Sequence, residues 1–227
     1  MTPVTEPKQD RSRRTQARIL DAAEAALHDK DFDAISILEI AAGASCSVGA
    51  FYARFSDKEA LRESLIDRYL DDLVTASAAF ADEPSWRKRP LEERVEAFIT
   101  AVVTACRRRR GLMRMRYLHL ITRAVPARHD GGRESEFVHR IESFFEPCLP
   151  EIDHPEPRRA LSFALRLVDT MAAHAVLFDQ EIGSSFGRMS DRVLIDELVR
   201  AFLGYLGAFR PGQKDTAREG AGQIGAR

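Results

Sequence analysis

Apolar residues recur at helical spacing along most of this chain, and they divide it into a series of helices. Ile19, Ala22, Ala23, Ala26 and Leu27 form one stripe, which predicts a first helix from about Thr15 to Lys30. Ser36 and Glu39 then stand in the S-x-x-E spacing of a capping box. Ile35 and Ile40 flank them as a hydrophobic staple, so a second helix is expected over Ser36 to Gly43. Ser47 is a good N-cap for a short third helix, Ser47 to Ala53. A second S-x-x-E, Ser56 and Glu59, predicts a fourth helix to about Phe80, with Leu61, Leu65, Tyr69 and Leu73 on its inner stripe.

The segment DEPSWRKRP, Asp82 to Pro90, breaks that pattern. A second helical block follows. Helices are expected over Leu91 to Arg109, Leu112 to Val125, Ser135 to Phe145, Arg158 to Ile182 and Asp191 to Phe209. The chain from Pro211 is Gly-rich and polar, which predicts a disordered tail. No strand series and no internal repeat is present, so the fold class is all-α. The expected division is a basic disordered arm over 1–14, a helix-turn-helix unit over 15–60, a larger helical domain over 61–210, and the tail over 211–227.

A helix, a short turn and a small-residue helix make a helix-turn-helix. The spacing across it resembles that of the TetR family of transcriptional regulators. The family pattern T-x-x-x-I-L-x-A-A, G-F, I-A-x-x-A-G-V-S-x-G-x-x-Y-x-x-F-x-x-K-x-x-L is met by Thr15, Ile19-Leu20, Ala22-Ala23, Phe32, Ile40-Ala41, Ala44, Ser47, Gly49, Tyr52, Phe55, Lys58 and Leu61. The match runs without gaps over about the first quarter of the chain. Asp31 and Ser45 stand where the family usually has Gly, and Cys46 where it usually has Val.

The resemblance implies an N-terminal DNA-binding domain and a second domain that binds a small ligand and forms the dimer. It assigns phosphate contacts to Tyr52 and Lys58, which would position the protein without reading sequence. A packing role for Tyr52 is compatible with that. Val48 and Ala50 can touch thymine methyl groups, whereas Ser36, Ser47 and Arg54 are the candidates for polar contacts and Gly49 permits close approach. Five basic residues lie between Lys8 and Arg18 against one acid, Asp10. As a plain charge run they would be a solvated tail. Placed ahead of a DNA-binding unit, Arg11, Arg13 and Arg14 can reach phosphates or a minor groove.

The dimer is expected on the last two long helices. The row Ala160, Ala164, Ala172 allows close helix approach, and Leu194, Leu198, Phe202, Tyr205, Leu206 and Phe209 give the final helix a broad apolar surface. Burial inside one subunit is the alternative reading. A ligand in the second block would be small and mainly apolar, with Phe98, Val102, Met115, His119, Phe144, Phe163, Met171 and His174 as candidate contacts, although core and pocket wall look alike in sequence.

Composition narrows the rest. The chain has 227 residues, a net charge of -1 and 30% charged residues, with no apolar run of the roughly 20 residues that a spanning helix requires. The first residues lack a secretory signal, and three scattered cysteines fit a reducing cytoplasm. No hydrolase, nucleotide-binding or zinc motif occurs, so neither an enzyme nor a cofactor or metal site is expected. Taken together, these readings predict a cytoplasmic homodimer that represses transcription from a palindromic DNA operator in response to a ligand. The competing expectation is a ligand-independent DNA-binding or protein-interaction dimer.

Overall fold

A computed structural model describes residues 8–122, 132–177 and 189–208. Among these residues the secondary structure is helical throughout. The α-helices are α1 (Lys8–Ala26), α2 (Ile37–Gly43), α3 (Val48–Tyr52), α4 (Lys58–Ala81), α5 (Leu91–Arg108), α6 (Arg110–Thr122), α7 (Arg133–Phe145), α8 (Pro157–Leu177) and α9 (Asp191–Tyr205). Short 3-10 turns lie at Phe32–Ala34, Pro84–Lys88 and Glu146–Glu151. The polar tail from Pro211, Phe209 and the segment that would carry α8 to Ile182 lie outside the described residues.

Two apolar clusters organise the chain. The first gathers Ile19, Ala23 and Leu27 of α1, Phe32, Ile35 and Ile40 around α2, Phe51 and Phe55 around α3, and Leu61 and Leu65 of α4. Leu112 and Met115 of α6 complete it. The second is built by α5, α7, α8 and α9 around Phe145, which is fully buried. Phe145 meets Phe98, Phe144 and Phe202 with ring centroids 5.6, 4.8 and 5.9 Å away. Such ring pairs add about 0.5–1.5 kcal/mol each beyond their burial.

This packing corrects the expectation for the dimer seam. Leu194, Leu198, Phe202 and Leu206 all point into their own subunit, as do Ala160, Ala164 and Ala172. The small residues of α8 allow close packing against α5 and α9, not against a second copy.

Arg94 is buried in this domain, at 4% exposure. It donates to the carbonyls of Arg89, Trp86 and Phe144 and lies 5.0 Å over the Phe144 ring. One guanidinium thereby satisfies two carbonyls of the Pro84–Lys88 turn and its cap, and one near the end of α7.

At the junction of α5 and α6, Arg109 and Arg107 clasp distant acidic residues. Arg109 Nε donates to Glu24 Oε1 at 2.7 Å and its Nη1 to Asp72 Oδ2 at 2.9 Å. Arg68 reaches Glu24 and Asp21 at 2.5 Å each. Burial pushes the Glu24 carboxyl up, but its bonds to Arg109 and Arg68 outweigh this and hold it below the ordinary carboxylate value. Arg107 pairs with Asp191 at 2.8 Å. Gly111 lies inside α6, and a Cβ built there would stand 1.9 Å from the Leu27 carbonyl oxygen. Only glycine lets α6 come this close to the end of α1.

At the turn between α2 and α3, Ser45 adopts φ +50°, the left-handed conformation that the missing glycine would supply. A side chain there costs about 1 kcal/mol. Ser45→Gly should therefore stabilise the protein by about 1 kcal/mol in urea denaturation. An unchanged or lower midpoint would show that the turn is not strained.

Candidate nucleic-acid interface

The short helix α3 is held from three sides. Ser47 caps it, its Oγ accepting from Ala50 N at 3.1 Å. Phe51 is fully buried and meets the Phe55 ring at 5.5 Å. Arg54 donates to Ala50 O at 3.0 Å and to Ser12 O at 3.5 Å, so it staples α3 to α1. Val48, Gly49 and Tyr52 are left exposed, Tyr52 at 51%.

The helix in front is fixed by the expected capping box. Glu39 N donates to Ser36 Oγ, and Ser36 N to Glu39 Oε2, both at 3.1 Å. Glu39 is paired with Lys30, and that bond, with those from Ser36, lowers its carboxyl to about 2. The Ser36 hydroxyl also donates to Glu39 Oε2, so its hydrogen-bonding capacity is largely used within the box.

The second box, expected at Ser56 and Glu59, does not form, and a simple cap lies one residue later. Asp57, not Ser56, caps α4, its Oδ1 accepting from Ala60 N at 2.7 Å. Ser56 Oγ donates to Asp57 Oδ2 at 3.1 Å instead. Lys58 is thereby the first residue of α4. Its Nζ donates to Asp33 O at 3.0 Å and lies 4.9 Å over the Phe32 ring. Burial lowers the Lys58 pKa, with Asp33 opposing.

The basic segment is helical, not an unstructured arm, from Lys8 onward; residues 1–7 lie outside the described residues. Two bonds account for this. Thr15 Oγ1 donates to Arg11 O at 3.0 Å, and Arg54 reaches the Ser12 carbonyl. Arg11, Arg13 and Arg14 are exposed on the first turns of α1. Arg11, Arg14 and Arg18 recur at i, i+3 and i+7, so they share one helix face.

The eight candidate ligand residues do not come together in one place. Phe98 and Phe144 pack in the second cluster, with Val102 against it, while Met115 belongs to the first cluster. His119 lies beside Arg62, 3.3 Å from its Nη1. Phe163, Met171 and His174 are exposed along the outer side of α8. A groove of about 230 Å³ is lined by other residues, among them His139, Glu142, Arg158 and Ser162. Leu38, in the first turn of α2, is the most exposed large apolar side chain among the described residues at 69%. Sequence reasoning passed over it because it sits inside the capping box.

Residues 19–65 match the profile of bacterial regulatory proteins of the tetR family, and residues 90–206 that of the tetracyclin repressor-like C-terminal domain. The chain belongs to the tetR family. It is a DNA-binding transcriptional regulator of that family, with α2 and α3 as its helix-turn-helix.

Solved structures agree on the fold. A putative tetR-family regulator from Mesorhizobium loti is 20% identical, with a TM-score of 0.60 over 86% of this chain and 97% of its own. A tetR-family regulator from Streptomyces coelicolor is 21% identical, with a TM-score of 0.61 over 88% and 82%. FadR from Bacillus subtilis, solved with stearoyl-CoA, is 16% identical, with a TM-score of 0.57 over 86% and 99%. No curated protein matches the chain. No helix among the described residues is long and apolar enough to cross a membrane.

Gly49 is not required by the packing of this subunit. A Cβ there would meet only Ser47 Oγ, at 3.8 Å, and its φ is not positive. Inside a helix glycine costs up to about 1 kcal/mol relative to alanine. That cost is understandable if another surface must approach the backbone here. Gly49→Ala should therefore raise the unfolding free energy by roughly 0.5–1 kcal/mol while weakening DNA binding. Urea denaturation and binding isotherms on the same variant check it. Unchanged affinity would remove α3 residue 49 from the contact surface.

Proposed function

We propose that this regulator is a homodimeric repressor that binds a palindromic operator and releases it in response to a small, mainly apolar ligand. The observation that carries the dimer is the outer surface of α8 and α9. Phe163, Met171, Val193 and Tyr205 are 41–51% exposed there, and the Phe163 and Tyr205 rings lie 5.1 Å apart across the two helices. Gly204 sits on the exposed side of α9 with nothing within 4 Å of a Cβ. An apolar surface beside an open glycine suits a close helix-to-helix seam with a second copy. It replaces the seam that sequence reasoning placed on Phe202 and Leu198.

Each subunit would offer one α3 to a major groove, with Ser47, Val48, Gly49, Ala50 and Tyr52 at the bases or backbone. Arg11, Arg13, Arg14 and Lys58 would neutralise phosphates, while Ser36 and Arg54 chiefly hold the helix-turn-helix in shape. Repression would follow from occupying the operator in the cytoplasm, where a bacterial chromosome lies.

The route for a ligand signal runs through α6. That helix touches both parts, through Leu112 and Met115 in the first cluster and through its packing on α8, where Arg110 donates to Leu177 O at 3.3 Å. A ligand that favours a shifted α6 would change the spacing of the two recognition helices. It can do so only by binding the two states with different affinity. The stearoyl-CoA held by FadR supports an apolar, acyl-type ligand for this chain too. A ligand-independent dimer is the second reading, and the dense ring packing of Phe98, Phe144, Phe145 and Phe202 favours it. Long-chain acyl-CoA that neither binds nor weakens the DNA complex would speak for that reading.

Gly204→Arg tests the seam. The open space around Gly204 accommodates the side chain within one subunit, so the fold should survive. The added charge would face an apolar partner surface twice, by symmetry. Sedimentation should show a helical monomer at micromolar concentration, with operator affinity reduced at least tenfold. A helical dimer would place the interface elsewhere.

A further inference from the structure

The reading surface of α3 is short of hydrogen-bond donors and acceptors. The helix is Val48-Gly49-Ala50-Phe51-Tyr52, preceded by Ser47 and followed by Ala53. Phe51 is in the core. Ser47 Oγ is engaged by the Ala50 amide, which leaves its proton as the remaining polar handle. The neighbouring cations are directed elsewhere. Arg54 is turned back on the carbonyls of Ala50 and Ser12, and Lys58 on that of Asp33. Arg11, Arg13 and Arg14 belong to α1.

Guanine is ordinarily read by Arg or Lys on O6 and N7, and adenine by Asn or Gln on N6 and N7. No such side chain stands on α3. What α3 does present is the branched methyl pair of Val48, the Ala50 methyl and the bare backbone of Gly49. The apolar feature of the major groove is the thymine C5-methyl group.

We propose that α3 reads its operator through thymine C5-methyl groups, with Val48 as the principal reader. The inference rests on the proposal that α3 enters the major groove. Gly49 lets the helix sink close enough for Val48 to reach the methyl, and the Tyr52 hydroxyl and basic residues of α1 hold the depth by contacts to the backbone. Each half-site would then carry thymines opposite α3. Binding would depend on the methyl groups and not on the thymine oxygen or on guanine N7.

The test uses the full-length protein and DNA only. A binding site is first selected from random-sequence duplexes, and each thymine of a half-site is then replaced by deoxyuridine, which lacks only the methyl. One or two positions per half-site should lose about fourfold in affinity each, the factor for one carbon removed from water. In Val48→Ala the same replacement should cost less than twofold, because the reader is gone. Replacing guanines by 7-deazaguanine opposite α3 should change little. Full affinity on all-deoxyuridine half-sites, or a uracil penalty that persists in Val48→Ala, would overturn the inference while leaving DNA binding intact. A selection that enriches no site would remove the groove reading itself, and this inference with it.

Discussion

The docking of α6 against the end of α1 is the constraint on which the arrangement depends. At Gly111 the two backbones are so close that a Cβ would stand 1.9 Å from the Leu27 oxygen. Around that contact Glu24 accepts from Arg109 and Arg68, while Leu112 and Met115 insert into the apolar cluster of the helix-turn-helix. A carboxylate shared by two guanidiniums in a half-buried site is a directional tie, stronger than an exposed pair. The helix-turn-helix unit, whose α3 packs on α1 and α2, is therefore anchored to the second domain through the end of α1.

This division of labour explains the character of the DNA face. Residues that a sequence would offer as contacts, Arg54 and Ser36 among them, are used to brace short helices of seven and five residues, α2 and α3. Helices this short are not stable alone, so caps and staples must hold them. On the proposed reading the phosphate contacts fall to Lys58 and the exposed arginines of α1, and what remains for base reading is small and apolar. On that reading affinity and selectivity would come from different elements, the first salt-dependent and the second not.

Much of this was legible in the chain. The Ser36–Glu39 box, the Ser47 cap and the buried stripes of α1 and α4 follow from local spacing, and local spacing is what a sequence displays. The misplaced cap at Ser56 shows the limit: Ser56 and Asp57 are both good caps, and only the backbone decides. The clasp of Arg109 has no local sequence signal, because its partner Glu24 is 85 residues away. The apolar stripe of α9 was visible, but which side of it meets the subunit core was not. The seam we propose rests instead on the outer side, at Gly204 and Tyr205, and the open space at Gly204 has no sequence signature.

The coupling of the two parts through α6 is tested most directly by calorimetry of Gly111→Ala. The wild-type protein should unfold in one transition, since α6 inserts into the first cluster and also packs against α8 of the second domain. In the variant the added Cβ must push α6 off Leu27, so the account predicts two separated transitions, the helix-turn-helix melting first. A single transition at an unchanged temperature would contradict it.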